Sequence, residues 1–446
     1  MKIGVIGTGH VGLVTCASLA HAGHEVTGCD VDEARIGTLQ KGQAPFFEPG
    51  LDDLLTEQIE AGRLAFTLDS EEAVAGADVV FICVGTPPRE SGEADLSAVE
   101  QSVIDVARKA RAGAVVVQKS TVPAGTAARL RDAVERVRPG REIEIASNPE
   151  FLREGRAIHD FLHPDRIVVG AESERASEVM RAVYRSWIER GCRFIETDTA
   201  TAELAKHACN AFLALKISYA NALARLCERA GADVTGVAEV MGSDDRIGRA
   251  FLDAGLGYGG HCIPKDLRAL ERLADALGYD FPILREVERV NEEALDAAVD
   301  KIVDAIGDLE GKRVALLGLA FKPGTDDVRS APALRLARRL LDRGARAAGY
   351  DPVASEEARR ALPEIEIATD PYGAAGGAQC AVLCTEWDEL AALDLGELKS
   401  VLARPVFVDG RNMFDPGEMA RLGFVYYATA RPSGSRVSPA RPRARS

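Results

Sequence analysis

The sequence predicts an α/β protein in which two doubly wound domains are joined by a helical central domain with one long helix. Short apolar, β-branched runs alternate with amphipathic stretches in the first part of the chain and again after Lys312, as βαβ units require. Between these parts, the stretch from Thr199 to about Ala230 has a helical pattern without Gly or Pro, and more helix follows to about Ile306. We therefore predict domains at residues 1–198, 199–306 and 307–428.

Composition and charge narrow the class of protein. The 446 residues include 54 basic and 69 acidic side chains, and the net charge of −15 argues against nucleic-acid and anionic-membrane partners. No stretch approaches the roughly 20 apolar residues of a membrane-spanning helix, and no signal peptide is expected. Nine scattered cysteines are typical of reduced thiols, so we expect a cytoplasmic protein. Cys380 and Cys384 lie in an apolar run that reads as a buried strand; the alternative is a metal site, and no metal is predicted.

The first domain is predicted to contain a parallel sheet with helices on both faces. Amphipathic stretches such as Ser97–Lys109 separate the predicted strands. The strands are apolar runs without alternation, as buried parallel strands are: Val79–Val84, Ala114–Val117, Ile143–Ala146 and Ile167–Val169.

A glycine-rich turn follows the first apolar strand. Gly7 allows the tight turn, Gly9 lets a pyrophosphate approach the backbone, and Gly12 allows close packing of helix on strand. The helix that follows offers free N–H groups to phosphates. Asp30 ends the next strand, where a carboxylate accepts hydrogen bonds from a ribose 2′-hydroxyl and repels a 2′-phosphate. The pattern predicts NAD rather than NADP; the alternative is a glycine turn without a ligand.

Two further strand ends carry hydroxyl side chains. Thr86 follows one strand in Val84–Pro88, and Thr121 follows the next in Lys119–Pro123. Ligands of doubly wound sheets bind at the carboxyl edge of the strands. Simple strand breaking by Pro and Gly explains the turns but not the hydroxyl groups.

The long helix and the loop after it carry the remaining candidate chemistry. Glu203, Lys206 and Asn210 are spaced to share one helix face, where Lys and Asn suit a developing oxyanion; a solvated face is the alternative. Cys262 lies in the glycine-rich stretch Gly257–Asp266, where the nearby cation of Lys265 favours the reactive thiolate. His261 is an alternative base, although adjacent side chains usually diverge.

The α/β pattern restarts in the third domain. A strand is predicted at Arg313–Leu319, a helix at Ala333–Arg343 and a second strand at Ala345–Asp351. Gly318–Phe321 replaces the glycine fingerprint of the first domain, so this copy keeps the fold without the dinucleotide signature. Residues 429–446, with five arginines and no acidic residue, are predicted to be a disordered basic tail; a functionless end is favoured, and contact with a partner is the alternative.

Taken together, these motifs resemble the UDP-glucose/GDP-mannose dehydrogenase family from Met1 to about Tyr427. Further matching segments are Asn148–Gly155, Asp165–Gly170, Arg246–Gly248 and Phe321–Asp326. The resemblance implies two Rossmann-like domains and a four-electron oxidation of a nucleotide sugar's C6 alcohol by two NAD molecules in turn. Cys262 would trap the aldehyde as a thiohemiacetal and then carry a thioester. The resemblance also implies a homodimer or higher oligomer built on Thr199–Ala230.

The same resemblance implies a role for individual residues. The catalytic set is Cys262, Lys206, Asn210, Asp266, Glu150 and Thr121. The cofactor-binding set is Gly7, Gly9, Val11, Gly12, Asp30, Arg35, Thr86, Thr121, Glu154, Lys265 and Arg329. The substrate-binding set is Glu150, Phe151, Leu152, Lys206, Asn210, Arg246, Phe251, Gly259 and Lys322. Arg246 would reach the substrate of a neighbouring subunit.

Some positions depart from the family pattern and keep alternatives open. His261 and Ile263 flank the cysteine as in the N-acetylhexosamine branch, whereas Lys265 and Asp266 favour UDP-glucose. UDP-N-acetylhexosamine and GDP-mannose therefore stay alternative substrates. A two-electron β-hydroxyacid dehydrogenase would need neither Cys262 nor a third domain, and a non-catalytic sensor would need disabled motifs, which the sequence lacks.

Overall fold

The computed structural model describes residues 1–89, 91–140 and 143–432. By its internal contacts the chain divides into two compact units, Met1–Cys209 with Arg268–Tyr279, and Asn210–Leu267 with the described residues from Asp280 onward. Each unit contains a doubly wound sheet, and one helix spans 32 residues, so the predicted fold class is confirmed. The helical segment predicted at 199–306 is divided between the two units.

The first unit is built from alternating strands and helices. Its strands are β1 (Lys2–Ile6), β2 (Glu25–Cys29), β3 (Leu64–Thr67), β4 (Val79–Ile82), β5 (Val115–Gln118), β6 (Glu144–Ser147), β7 (Arg166–Ala171) and β8 (Arg193–Thr197). Its helices are α1 (His10–His21), α2 (Glu33–Leu39), α3 (Leu51–Glu60), α4 (Ser70–Val74), α5 (Ser97–Lys109), α6 (Thr126–Val137), α7 (Ala157–Leu162), α8 (Glu174–Val183) and α9 (Arg185–Glu189).

The eight strands form one sheet in the order β3-β2-β1-β4-β5-β6-β7-β8. Every residue of β4 is buried, which explains why the strand is continuously apolar and does not alternate. The prediction of a parallel sheet is wrong at β7, which is antiparallel to β6 with Ser147 opposite Gly170. The connection formed by residues 148–165 begins and ends at the same edge of the sheet. It therefore joins two antiparallel strands without crossing over the sheet. That edge is the carboxyl edge of β1, β4 and β5.

Four helices follow in the chain: α10 (Thr199–Ala230), α11 (Val234–Gly242), α12 (Cys262–Ala276) and α13 (Pro282–Ile306). The sheet of the second unit comprises β9 (Arg313–Leu317), β10 (Arg346–Tyr350), β11 (Glu366–Ile367), β12 (Cys380–Leu383), β13 (Val406–Asp409) and β14 (Val425–Ala428). Its helices are α14 (Pro332–Leu341), α15 (Ser355–Ala361), α16 (Pro371–Ala375), α17 (Asp388–Ala391), α18 (Leu395–Val401) and α19 (Pro416–Arg421). The strand order β11-β10-β9-β12-β13-β14, all parallel, is that of a Rossmann-like sheet.

Folded chain continues past the predicted start of the tail at 429. Thr429 exchanges two hydrogen bonds with Asn412, and Arg431 donates to the Phe414 carbonyl at 2.8 Å. The remaining tail residues, 433–446, lie outside the described residues. Within the described ranges, no helix has the length and apolar character needed to cross a membrane.

Candidate functional site

The glycine-rich turn between β1 and α1 is shaped by two of its three glycines. Gly7 has a φ of +91°, and a Cβ at Gly12 would lie 1.8 Å from the Gly7 carbonyl oxygen. Both positions therefore require glycine for reasons internal to the protein. Gly9 differs: its φ of −69° suits any residue, and a Cβ there would meet no protein atom within 4 Å. The open space beside Gly9, at the start of a 12-residue helix, fits a dinucleotide pyrophosphate.

Asp30 lies at the end of β2, as predicted, and is fixed by the glycine turn. Its carboxylate accepts hydrogen bonds from the Thr8 N–H at 2.7 Å and from the Arg35 guanidinium at 2.9 Å. Burial opposes its charge, but bonds from Thr8, Asp32 and Arg35 outweigh burial and lower the pKa of Asp30. Asp30 is therefore a carboxylate at neutral pH, as a ribose-binding acid must be.

The two strand ends that carry the predicted hydroxyl residues lie next to each other. The Thr86 hydroxyl donates to the Thr121 carbonyl at 3.0 Å, and the Ser120 hydroxyl donates to the Val84 carbonyl at 2.6 Å. These bonds tie the end of β4 to the end of β5. The presence of hydroxyl side chains at these two strand ends is thus explained in part by a structural role, because they hold the two loops together.

Behind this edge lies Lys119, a buried lysine that the sequence did not single out. Its ammonium donates to Asn148 Oδ1 at 2.9 Å and lies 5.7 Å and 5.6 Å from the ring centroids of Phe81 and Phe161. Asn148 Oδ1 also accepts from the Tyr184 hydroxyl at 2.6 Å. Asn148 begins the loop that carries Glu150, so this network fixes where that loop leaves β6.

Glu150 forms a buried ion pair with Lys206 of α10 at 2.9 Å, and each side chain is about 5% exposed or less. The second carboxylate oxygen of Glu150 accepts from the Leu152 N–H at 2.6 Å. The Phe151 ring lies 4.0 Å from the Arg166 guanidinium and 5.4 Å from the Lys206 ammonium. The structure thus brings together four residues that the sequence assigned to catalysis or substrate binding.

Glu203, predicted to share the helix face of Lys206 and Asn210, is also buried, so the solvated-face alternative is excluded. Its carboxylate accepts the N–H groups of Gly125 and Ala127 at 2.7 and 2.8 Å, at the first turn of α6. Glu203 therefore anchors the helix that follows Thr121.

In the second unit, the glycine loop before the cysteine is held by two asparagines. Asn221 of α10 accepts the Gly255 N–H at 2.8 Å, and Asn291 of α13 accepts the Tyr258 N–H at 2.8 Å. Asn291 leaves no room for a Cβ at Gly257, which would lie 2.3 Å from its Oδ1 atom. A Cβ at Gly259 would lie 2.4 Å from the Ser330 carbonyl. These glycines are needed because backbone and amide groups approach closely.

Cys262 is the first residue of α12 and is partly exposed. A helix N-terminus stabilises a thiolate because unsatisfied N–H groups point towards it. Asp266, fully buried one turn later, accepts from the Asn210 amide at 2.6 Å and forms an ion pair with the Lys265 ammonium at 2.9 Å. Burial, together with Arg329 and Lys265, lowers the pKa of His261 to about 4, so His261 is a poor general base at neutral pH.

The other predicted residues of the second unit lie on loops. Phe251 has a φ of 65°, which is rare for an aromatic residue and marks local strain. Arg329 is held by Asp327 at 2.7 Å, and Lys322 lies 5.4 Å from the ring centroid of Phe321. The Arg246 side chain is 88% exposed and pairs with Asp244 at 2.6 Å.

Glu48 was missed from the sequence although it touches two predicted motifs. It bonds to His10 in the glycine turn and accepts the Gly155 N–H. No spacing rule links residues 38 and 107 positions apart. The only local signal was an acidic residue between aromatic and Pro-Gly residues.

Comparisons with known proteins point to one family. Three models of the UDP-glucose/GDP-mannose dehydrogenase family match in order: the NAD binding domain at residues 1–188, the central domain at 200–293 and the UDP binding domain at 315–416. The UDP-glucose 6-dehydrogenase of Rhizobium meliloti is 46% identical over 97% of this chain and 100% of its own length. The UDP-glucose 6-dehydrogenase of Pseudomonas aeruginosa is 43% identical over 97% and 98%.

Solved structures show the same likeness. A UDP-glucose dehydrogenase from Pyrobaculum islandicum has a TM-score of 0.90 and 41% identity, covering 96% of this chain and 98% of its own. A UDP-D-ManNAc dehydrogenase from Pyrococcus horikoshii has a TM-score of 0.85 and 28% identity, covering 97% and 99%. The chain therefore belongs to the UDP-glucose/GDP-mannose dehydrogenase family, and its cofactor is NAD.

Proposed function

We propose that this chain oxidises the C6 alcohol of UDP-glucose to a carboxylate in two NAD-dependent steps. The observation that carries the proposal is Cys262, a partly exposed thiol at the first residue of α12. A two-electron alcohol dehydrogenase has no use for such a nucleophile. UDP-glucose is favoured over N-acetylated sugars because relatives at 43–46% identity are named for it, whereas the UDP-D-ManNAc dehydrogenase is 28% identical.

NAD, when bound, accepts a hydride, and two molecules bound in turn account for four electrons. Gly9 leaves space for the pyrophosphate, and Asp30 accepts from a ribose hydroxyl. The other residues that we assign to cofactor binding are Gly7, Val11, Gly12, Arg35, Thr86, Thr121, Glu154, Lys265 and Arg329.

Cys262 adds as a thiolate to the aldehyde carbon, and this bond holds the aldehyde in place as a thiohemiacetal. After the second oxidation the same sulfur carries a thioester, which water cleaves to give the carboxylate and the free thiol. Asn210 donates to the developing oxyanion, and Asp266 assists proton transfer. Lys206 also stabilises negative charge, while Glu150 with Thr121 positions water.

The proposed sugar-nucleotide contacts come from loops. Phe151 and Leu152 follow the catalytic Glu150 in the first unit. In the second unit the contacts are Arg246, Phe251, Gly259 and Lys322. The three predicted segments, 1–198, 199–306 and 307–428, remain our proposal for cofactor binding, catalysis with dimerisation, and UDP binding.

The test counts NADH released per UDP-glucose by the purified protein. We expect two NADH per sugar, and a loss of turnover of at least about 10³-fold in Cys262→Ser. Cys192→Ser, which removes another partly exposed thiol, should behave as wild type. One NADH per sugar with an active Cys262→Ser variant would refute the covalent route. Turnover only with UDP-N-acetylhexosamines or GDP-mannose would keep the chemistry and change the sugar.

We also propose that α10 forms the interface of a homodimer. Phe212, Tyr219 and Leu226 are spaced by seven residues and are 61, 51 and 60% exposed. An apolar stripe at this spacing suits packing against a second helix. Phe212→Asp should yield monomers in analytical ultracentrifugation, whereas Leu277→Asp, at another exposed apolar position, should not. A cytoplasmic location is proposed because all nine cysteines are unbridged.

A further inference from the structure

His10, the first residue of α1, is held on two sides by the segment before α3. Its Nε2 atom lies 2.9 Å from Glu48 Oε2, and its ring lies 4.8 Å from the Phe46 ring, centroid to centroid. His10 follows Gly9, the position with open space for the pyrophosphate. The imidazole charge therefore lies beside the phosphate-binding turn.

Glu48 contacts a second functional segment through its backbone. Its side chain has no exposed surface, and its two oxygens accept the N–H groups of Gly155 and Ala157, each at 2.7 Å. Gly155 has a φ of +74°, a conformation that glycine adopts readily. These bonds fix the end of the segment that begins at Glu150. One buried carboxylate thus joins the phosphate-binding turn to the segment that carries Glu150 and Glu154.

We propose that Glu48 is a positioning residue that couples NAD binding to the placement of the Glu150–Gly155 segment, and that His10 makes this coupling dependent on pH. The proposal rests on NAD as the cofactor and on the proposed role of Glu150. Protonated His10 donates to Glu48 and adds a positive charge next to the pyrophosphate. Neutral His10 keeps a weaker bond and loses the charge.

The charged groups around His10 set the direction of the effect. Burial alone would lower its pKa, but the hydrogen bond to Glu48 and the charges of Glu154, Glu48 and Glu150 outweigh it, so the pKa of His10 is raised. Because of the raised pKa, His10 stays protonated to a higher pH than an ordinary histidine, whose pKa is near 6.5. NAD affinity should be highest below the pKa of His10 and should fall as pH rises through it.

NAD binding is measured first by calorimetry between pH 6 and 9, without sugar, so that the result does not depend on turnover. Wild-type affinity should fall about three- to tenfold across this range, as one charge beside a pyrophosphate implies. His10→Gln should bind with the weaker, high-pH affinity throughout. His21→Gln, the same substitution at the exposed end of α1, should retain the wild-type profile. A wild-type affinity independent of pH, or an unchanged profile in His10→Gln, would refute the role of His10.

The coupling itself is tested on the protein without NAD. In Glu48→Gln, hydrogen exchange should speed up in peptides covering residues 7–12 and 150–157 together, and NAD affinity and kcat should both fall. Asp52→Asn removes another carboxylate of the same region, which accepts the Ala44 N–H at 2.7 Å, and should leave both peptides protected. Faster exchange in only one peptide would show that Glu48 caps a turn without coupling. Failure of UDP-glucose as substrate would leave these binding and exchange results intact.

Discussion

The side-chain amide of Asn210 donates a 2.6 Å hydrogen bond to the fully buried carboxylate of Asp266. This bond fixes which atom of each side chain is left for chemistry: Asn210 has one further N–H, and Asp266 has its second oxygen, which pairs with Lys265. The two residues should therefore act as a unit.

We expect Asp266→Asn and Asn210→Ala each to lower kcat by about 10²-fold, since each removes a proton-transfer or oxyanion-stabilising group. The double variant should lose less than the product of the two, with a coupling free energy of about 1–3 kcal/mol. The measurement is a double-mutant cycle on kcat with UDP-glucose. Ser218→Ala, which removes a buried hydroxyl of the same helix bonded to the Val287 carbonyl, serves as control. Fully additive losses would show that the bond has no role in turnover.

The glycine turn offers a matched pair of substitutions. Gly9→Ala should lower stability by no more than about 1 kcal/mol, the cost of Ala at a helix N-cap, because its Cβ meets no protein atom within 4 Å. NAD affinity should nevertheless fall by tenfold or more. Gly12→Ala should destabilise the protein by about 1–3 kcal/mol or more, because its Cβ would overlap the Gly7 carbonyl. Thermal unfolding and NAD titration of both variants separate the two effects. Normal NAD affinity in Gly9→Ala would mean that the pyrophosphate lies elsewhere.

Coenzyme choice should depend on Asp30. In Asp30→Ser the Arg35 guanidinium loses its 2.9 Å carboxylate partner and becomes available for a 2′-phosphate. We expect the ratio of kcat/KM for NADP over NAD to rise by about 10²-fold. Because Asp30 also fixes the Thr8 N–H, absolute activity will fall, so the ratio is the informative quantity. Glu33→Ser, which removes an exposed carboxylate of the same helix, should leave the ratio unchanged.

Lys119 predicts a dependence of stability on pH. Burial lowers its pKa to about 8, so the folded protein releases this proton at lower pH than the unfolded chain does. Between about pH 8 and 10.4 the unfolded state binds more protons, and stability due to this group rises with pH, by up to about 3 kcal/mol. Lys119→Met should lack this rise. The check is the difference in unfolding free energy between wild type and variant at pH 7 and pH 10; a constant difference would refute it.

Local patterns predicted the elements of the fold well. The bounds of α10 match the prediction because the stretch lacks Gly and Pro and because Asp198 caps the Thr201 N–H at 2.7 Å. The direction of β7 was mispredicted, since a buried strand reads the same in either direction. The bonding partners of Glu203 also lay beyond the sequence: its helix face was predicted, but Gly125 and Ala127 are 76 or more residues away.

The site residues also divide into those that local sequence patterns predict and those that depend on tertiary contacts. Glycine positions and Cys262 follow from motif chemistry. The buried residues that fix the loops of the site, Lys119, Asn291 and Glu48, have contacts set by tertiary packing, which no spacing rule encodes. Asn291, for example, meets Tyr258 across 33 residues.

The reversal at β7 bears on how the two sheets compare. Strands β1–β6 have the same order as β9–β14, namely 3-2-1-4-5-6, so either sheet is complete without β7 and β8. Superposition of the two sheets should pair six strands with six and leave residues 148–198 without a counterpart. The segment with Glu150 is therefore an extension peculiar to the first copy. An internal duplication would account for both sheets, and this extension is what makes the copies unequal.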